Sequence, residues 1–478
     1  MTSRISLAAL ATLLATTALA GTAQAQTQGQ PPLPTLVQGV QIPALDIDID
    51  NAYGRGRNVS VLERQRPEYD ALGEHLGSFT LYPRLETALV YDDNVTALNA
   101  HQASDGLALI QPQLDLQSNW SRHALEVAGG GEFHEFFSKS SQNQNGWFAR
   151  ANGHIDVYGD SYILLGADAE HTYDDRLNAG AAPNAAKPVP LQTEGAYGRG
   201  IWQLNRFRTT VGFEDREYAY SNVPSQDVDT GAIDGVLINS DRNRNEWRLI
   251  AREEFAVSPD TAVFGQFSYS DDSYNHPFIV VPLGTGPNPL TETVNRNSTE
   301  FRGLGGANFD FAALMRGEIG VGYVDRTYTP DGIRRYPTIS GAMFEGKLEY
   351  FPSELTTVTL VGSRLVEDAI YSITSGGFFD TSVNLRVDHE LLRNLLLNVG
   401  VGYDQDDYEG ADRHDHVLSV QGGANYFVTR SVGIGMTVNY ANRGASGSVF
   451  DHLANSQFVL PKPKFDVTTV MFSLVLQR

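Results

Sequence analysis

Apolar and polar residues alternate along most of the chain from residue 78 onward. In the segment before the turn Ser121–His123, every second residue is mostly apolar and the residues between are Gln, Asp or Asn. Side chains of a β-strand point alternately to its two faces, so this pattern predicts strands with one apolar and one polar face. The apolar row includes Ile110, Pro112, Leu114, Leu116 and Trp120, and the polar row is Gln111, Gln113, Asp115, Gln117 and Asn119.

The same alternation recurs in about 18 segments, an even number that is typical of bacterial membrane barrels. Very short turns, such as the one at Gly159, alternate with long loops such as 174–193 and 441–464. A soluble β-sandwich has no reason to alternate its connections so regularly, whereas outer-membrane barrels have short turns on one side and long loops on the other. We therefore predict an all-β fold, a transmembrane antiparallel up-and-down β-barrel of about 16–18 strands.

The two ends of this predicted sheet are expected to meet. Lipid cannot hydrogen-bond free backbone groups, so a spanning sheet has no edge. The first strand, near Phe79–Tyr91, should therefore pair with the last, near Val470–Leu476.

The residues before the alternation differ in composition from the rest. Residues 1–25 have one Arg, an apolar run and the small-residue site Ala23-Gln24-Ala25, which together predict a cleaved signal peptide. Residues 26–77 begin Pro- and Gln-rich and continue with mixed charge, so we predict a flexible periplasmic extension. The barrel is then expected to occupy residues 78–478.

The charge balance narrows the set of partners. The chain has 57 acidic and 35 basic residues, a formal charge of -22, so nucleic acid is a poor partner. Cys is absent, which excludes disulfides and Cys-based metal or redox sites. The expected surroundings are outer-membrane lipid and lipopolysaccharide, reached with the help of the barrel-assembly machinery.

Charged residues recur in the polar rows of the predicted strands, where they would line a lumen. They are interpreted either as salt bridges that brace the barrel interior or as a charge ladder that sets selectivity. The candidate pore-lining residues are Arg150, Arg199, Arg208, Arg248, Arg302, Arg364, Arg386, Glu126, Glu132, Glu300 and Asp388.

One predicted loop, residues 275–296, is unusual because it carries four apolar residues in succession. An exposed apolar run favours aggregation, so it is expected to be covered. It would be covered if the loop folded inward and narrowed the pore, or if it packed against neighbouring loops outside the lumen. The candidate constriction residues are Phe278, Ile279, Val280 and Val281.

Signals for catalysis, metals or cofactors are weak. The triplet His414-Asp415-His416 has the residue types of a metal site but falls in a predicted outer loop. Acidic residues beside tyrosines, as in Tyr91–Asn94, would suit a divalent cation, but solvated strand ends are the simpler interpretation. No nucleophile elbow, phosphate loop or zinc-protease motif is present. We predict no catalytic residues, no metal and no cofactor.

Several segments resemble a known family. RPEYDALG (66–73) and GSFTLYPRLETALVYDDN (77–94), with NWSRHALEV, TTVTLVGSR and DHELLRNLLL further on, are similar to a family of outer-membrane β-barrel porins of Gram-negative bacteria. Some members of that family occur with exopolysaccharide export systems. The resemblance implies a barrel and assigns no substrate.

Three functions are compatible with these observations. The first is an outer-membrane channel, not an enzyme, that passes a hydrophilic solute such as an exported polysaccharide. The second is a structural barrel whose N-terminal extension docks periplasmic polysaccharide-export proteins. The third is a lipid-modifying barrel enzyme, since such enzymes need only a Ser, a His and an acid at strand ends.

Overall fold

The fold was analysed in a computed structural model of the chain. It describes residues 58–100, 102–178, 181, 184–227, 230–283, 290–332, 335–369, 375–447 and 463–478. The predicted signal peptide and the first 32 residues of the predicted extension, 26–57, lie outside this part. No described helix is long and apolar enough to cross a membrane.

Strands account for most of the described chain. Eighteen of the described strands form one closed antiparallel barrel, which confirms the predicted fold and strand number. They are β2 (Phe79–Asp92), β3 (Asp105–Ser118), β4 (Ala124–Phe136), β5 (Gln144–Tyr158), β6 (Ser161–Tyr173), β7 (Pro190–Leu204), β8 (Phe207–Tyr220), β11 (Arg244–Ser258), β12 (Thr261–Tyr274), β15 (Ser298–Phe311), β16 (Met315–Tyr328), β17 (Ile339–Ser353), β18 (Thr356–Asp368), β19 (Gly377–Leu392), β20 (Leu395–Tyr408), β21 (His414–Thr429), β22 (Val432–Ser446) and β23 (Phe465–Gln477).

Five further strands lie outside the barrel wall. β1 (Glu74–Leu76) pairs with the start of β2. The remaining four form two hairpins in the long loops, β9 (Val223–Gln226) with β10 (Ile233–Leu237), and β13 (Phe278–Leu283) with β14 (Leu290–Asn295).

The barrel closes between its first and last strands. β2 pairs with β23 from Arg84↔Gln477 to Asp92↔Thr469, as the sequence predicted. All other wall strands pair with their neighbours along the chain, apart from the loop hairpins. Closure therefore satisfies the backbone groups that an open edge would expose to lipid.

The two faces of the wall match the predicted alternation. On β3, Ile110 and Leu114 are exposed on the outside, whereas Leu107, Leu109 and Asp115 are buried on the inside. Large exposed aromatics lie toward both ends of the outer face, as expected for the two interfaces of a membrane. They include Tyr91, Trp147, Tyr323 and Tyr403 near the long loops, and Trp120, Trp202, Phe207, Phe255 and Tyr426 near the short turns.

Residues 58–73, here called the N-terminal strap, lie along the short-turn end of the barrel. From β1 the strap passes the turns of four consecutive hairpins and reaches Asn58, whose side-chain amide contacts Asp310 at 2.5 Å. On the way, Arg66 forms a 2.8 Å salt bridge with Glu390, and the Val61 N–H donates to Thr357. Residues 58–77 of the predicted flexible extension are thus packed against the barrel and not separate from it.

Candidate functional site

A large cavity lies inside the barrel, in the half nearer the long loops. Its volume is about 1280 Å³. Side chains from strands on opposite sides of the wall line it, from β6 through β12 on one side and from β18 through β23 on the other. The cavity is therefore part of the lumen and not a groove on the outer face.

One side of this cavity carries what we call the arginine wall: Arg199 on β7, Arg216 on β8, and Arg244 and Arg248 on β11. Arg216 holds both carboxylate oxygens of Asp168, at 3.1 and 3.0 Å, and Arg248 contacts Glu246 at 3.0 Å. Arg199 pairs with Glu214. Because three of these four arginines are matched by acids on the same wall, most of the charge is neutralised locally.

Tyrosine rings support the guanidinium groups at the outer end of this wall. The Arg244 guanidinium lies 4.2 Å above the Tyr218 ring, and that of Arg242 lies 3.7 Å above Tyr220. Stacking on an aromatic face restricts a guanidinium to one plane and adds a cation–π attraction. The rings thus fix the orientation of these two guanidinium groups.

The opposite side is formed by the outer ends of β18 and β19, which fold into the lumen. Pairing between β17 and β18 ends at Phe344↔Arg364, so residues 339–343 of β17 and 365–368 of β18 do not pair with each other. β18 and β19 remain paired as far as Asp368↔Gly377. The two strands therefore separate from β17 together as one unit, which we call the folded-in hairpin (Leu365–Asp368 and Gly377–Phe379).

Apolar packing holds this hairpin against the inner wall. Val366 and Phe379 join one buried cluster with Ile339 and Met343 of β17 and with residues of β12, β15 and β16. Phe379 lies directly on Gly341, where an added Cβ would be 2.9 Å from the ring. The side chains that alternation would place on the outer face thus pack against the lumen-facing side of β17.

A network of polar contacts fixes the tip of the hairpin. The Asp368 carboxylate contacts Arg326 of β16 at 2.5 Å and Arg244 of β11 at 3.5 Å, and it accepts a 3.0 Å hydrogen bond from Tyr274 of β12. Arg326 also contacts Glu300 at 2.9 Å. These contacts connect the hairpin across the lumen to strands that are distant along the sheet.

The lumen side of the hairpin and the adjacent strand β20 is acidic. Glu367, Asp380, Asp404 and Asp406, here called the acidic face, all line the cavity. None of them forms a salt bridge of 4.0 Å or less with a Lys or Arg in the described part of the chain. Asp380 and Asp406 hydrogen-bond to each other. The cavity thus has paired charge on one side and unpaired carboxylates on the other.

Apart from Arg364, the predicted pore-lining residues are distributed over the inner wall. Arg199, Arg248 and Arg302 line the cavity. The others pair elsewhere in the interior: Arg150 with Glu126 at 3.2 Å, Glu132 with His134 at 2.8 Å, Arg386 with Asp388 at 2.7 Å, Glu300 with Arg326, and Arg208 with the Tyr162 hydroxyl at 2.8 Å.

Arg364 does not lie with the other predicted pore-lining residues. It packs 4.3 Å above the Phe379 ring and donates a 2.6 Å hydrogen bond to Thr381. Its neighbour Ser363 is the buried, lumen-facing residue at this point of β18. Because adjacent strand residues face opposite ways, Arg364 belongs to the other face of the sheet.

Sequence reasoning missed several cavity residues that the same alternation contains. Arg244 is four residues from Arg248, and Asp404 and Asp406 are two residues apart, so each set shares one face. Extending the polar rows to the strand ends would have found them. The folded-in hairpin, by contrast, has no signal in the alternation, because Val366 and Phe379 read as ordinary outward-facing residues.

The predicted constriction loop forms the hairpin β13–β14. Phe278 is 45% exposed, and the side chains of Ile279, Val280 and Val281 lie outside the described part. Val294, at the base of the hairpin, is fully buried in the same apolar cluster as Phe379. The base of this loop therefore contacts the lumen wall, and its narrowing of the pore stays a prediction.

In the triplet His414-Asp415-His416, the aspartate and the first histidine lie in different environments. Asp415 is fully buried and contacts Arg413 at 2.5 Å and Arg443 at 3.6 Å. His414 is largely exposed and pairs with Asp407 at 2.8 Å. Within the described ranges, no three His, Cys, Asp or Glu residues come together as metal ligands would.

Comparisons with solved structures find other barrels. OpdK of Pseudomonas aeruginosa, crystallised with vanillate, has a TM-score of 0.42 and 11% identity and covers 83% of this chain and 99% of its own. The ferric enterobactin receptor PfeA of the same organism has a TM-score of 0.44 and 7% identity, covering 83% of this chain and 80% of its own. No protein with curated annotation matches the sequence.

The family comparison covers most of the chain. Residues 66–460 match a family described as "Putative beta-barrel porin 2". The matched range begins inside the N-terminal strap and includes every wall strand except β23. The chain therefore belongs to this porin family and is an outer-membrane β-barrel.

Proposed function

We propose that the protein is a passive channel that passes hydrophilic solutes across the outer membrane without catalysis. The observation that carries this proposal is the polar cavity of about 1280 Å³ inside a closed barrel of eighteen described strands. Barrels of about 16–18 strands leave an aqueous passage, and rings of charged side chains are the usual means of selecting what crosses it.

An exported polysaccharide is our proposed solute. Sugar hydroxyls both donate and accept hydrogen bonds, and the cavity offers guanidinium donors on the arginine wall and carboxylate acceptors on the acidic face. Tyrosine rings beside these groups, such as Tyr197 and Tyr218, add flat apolar surface of the kind that packs against sugar rings.

Conductance across a planar lipid bilayer tests the channel. The purified full-length protein should insert in discrete current steps of uniform size in potassium chloride. Adding a neutral oligosaccharide of increasing length should reduce the current once the sugar enters the lumen. A correctly folded barrel, shown by its heat-dependent mobility in gel electrophoresis, that produces no current steps would contradict the proposal.

A docking role for the N-terminal region is the second candidate. The strap fixes residue 58 beside the turn between β15 and β16, through Asn58 and the backbone of Ala313. Residues 26–57 therefore start from a fixed point at the short-turn end, which faces the periplasm in a porin. We propose that they engage periplasmic polysaccharide-export proteins. Deleting 26–57 should abolish co-purification of those proteins and preserve conductance.

We further propose the route to the membrane. Residues 1–25 act as a cleaved signal peptide, and the barrel-assembly machinery inserts the chain into a bilayer with lipopolysaccharide in its outer leaflet. N-terminal sequencing of the protein from outer membranes tests the first step, and a mature terminus at Met1 would contradict it.

A further inference from the structure

We propose that the acidic face beside the folded-in hairpin makes the channel select positively charged over negatively charged solutes. This inference rests on the proposed channel function and names the charge class of its solutes. Two features carry it: the position of the hairpin in the lumen and the unequal pairing of charge on the two sides of the cavity.

The hairpin places its carboxylates where a solute must pass. Val366 and Phe379, which alternation would place on the outer face, are buried against the inner wall. Glu367 lies on the opposite side of the hairpin and lines the cavity, and Asp380 follows it on β19. On β20, Asp404 and Asp406 pair with Ser382 and Asp380 and continue the same row. The folding of the hairpin thus turns these carboxylates toward the centre of the lumen.

The two sides of the cavity then differ in net charge. The arginines of the opposite wall hold Asp168, Glu214 and Glu246, so an anion would have to compete with carboxylates that are already bound. The strands β18, β19 and β20 contribute five carboxylates and no Lys or Arg to the described lining. Of these five, the hairpin's Asp368 is bound to Arg326.

Two of the remaining carboxylates share a hydrogen bond. Asp380 and Asp406 contact each other across the pairing of β19 with β20. Glu367 and Asp404 lie on either side of the pair and are not part of it. Asp404 accepts a hydrogen bond from the Ser382 hydroxyl. The acidic face therefore presents carboxylates that no Lys or Arg of the described chain neutralises by a salt bridge.

Ion selectivity in a salt gradient tests the inference. Wild-type channels should pass potassium in preference to chloride. The double variant Glu367→Gln with Asp404→Asn should lower the cation-to-anion permeability ratio by at least about threefold, because each unit charge removed, about 7 Å away in water, changes the energy of an ion by about RT. Both changes are nearly isosteric and leave the contacts of Asp368 intact.

A matched control removes the same charge from outside the lumen. Glu217→Gln with Asp271→Asn alters residues of β8 and β12 whose strand positions face outward, beside Phe213 and Tyr269. This variant should keep the wild-type permeability ratio. An equal fall in both variants would show that surface charge alone sets selectivity, and it would overturn the inference.

Block by organic ions gives a second readout on the unmodified protein. Hexamethylenediamine, a dication, should reduce the single-channel current more than adipate, a dianion of the same length. Its effect should weaken in the lumen variant and persist in the control. Stronger block by adipate would overturn the inference, as would a conducting double variant with unchanged selectivity. Absence of any current steps from the folded wild type would instead contradict the channel itself.

Discussion

Adjacent residues of a wall strand face different surroundings, lipid on the outer face and water in the lumen. On β3, Leu114 is 54% exposed on the outer face, whereas Gln113 points toward the lumen. We predict that Leu114→Arg impairs folding into lipid by about 2–4 kcal/mol, the cost of Arg at the midplane of a membrane barrel, and that Gln113→Arg costs much less. Folding yields of both variants in lipid vesicles check this. Equal yields would contradict the register.

A second prediction concerns Glu63 of the N-terminal strap. Burial raises the pKa of this carboxyl, but hydrogen bonds from Arg316 and from the Ser60 N–H outweigh it and leave the pKa below its usual value. A lowered pKa adds stability that is complete above the unfolded value, about 4.3, and is lost as the pH falls through the folded value. The strap should therefore loosen in acid.

Protease cleavage of the strap at a series of pH values measures this. Wild-type protein should become more sensitive as the pH falls below about 4, the range in which Glu carboxylates protonate. Glu63→Gln should be sensitive already at neutral pH, while Glu68→Gln, an exposed acid of the same segment, should behave as wild type. Identical profiles for all three proteins would show that the Glu63–Arg316 contact does not hold the strap.

At the scale of an element, the folded-in hairpin narrows the lumen because its tip is held by Asp368. Asp368→Asn weakens the contacts with Arg326 and Arg244, and breaking a buried ion pair costs about 3–5 kcal/mol. We predict a larger and noisier single-channel conductance. Asp325→Asn, one residue from Arg326 on the outer-facing row, is the control and should conduct as wild type. A quiet channel of unchanged conductance in Asp368→Asn would contradict the constriction.

The loop hairpin β13–β14 can be tested in the same way. Replacing Phe278–Val281 with Gly and Ser removes the apolar run and weakens the packing around it. If the loop narrows the pore, conductance rises, and we predict a smaller rise than for Asp368→Asn, since Phe278 is nearly half exposed. Unchanged conductance in a folded variant would leave the loop as packing outside the lumen.

These two hairpins show what the sequence could and could not predict. Alternation depends only on neighbours along the chain, so it identified the strands, the outer face and the lumen-facing Arg199, Arg248 and Arg302. The folded-in hairpin depends on where pairing between β17 and β18 stops, and on contacts such as Tyr274 with Asp368, 94 positions apart. No local pattern contains that information.

At the scale of the molecule, the strap makes the N-terminal region part of the barrel. Deleting residues 26–57 should leave the melting temperature unchanged, if these residues contribute no wall contact. Extending the deletion to residue 64 removes Asn58, Val61 and Glu63 with their contacts to β15, β16 and β18. This longer deletion should lower the melting temperature. Both proteins should still close, because pairing between β2 and β23 is retained. Failure of the longer deletion to fold would make the strap essential for closure.

Composition had indicated flexibility for this region because it is rich in Pro, Gln and mixed charge. The strap is nevertheless ordered by contacts that sequence composition does not reveal, since its partners lie more than 250 positions away, as with Asn58 and Asp310. Arg66 is similar: it is 2% exposed only because Glu390 and the Val61 carbonyl surround it. From the sequence alone, a charged residue is predicted to be exposed to solvent unless its partner is known.

The path of the strap has a consequence for quality control in the cell. Its binding sites belong to hairpins in the second half of the chain and to the last strand, where the Gln477 side chain donates to the Tyr69 carbonyl. The strap is made first, yet its docking surface exists only after the final strands have been added. An unfinished barrel would thus expose the strap to periplasmic proteases, whereas a finished barrel would protect it. Resistance of the strap to cleavage would therefore distinguish complete barrels from incomplete ones.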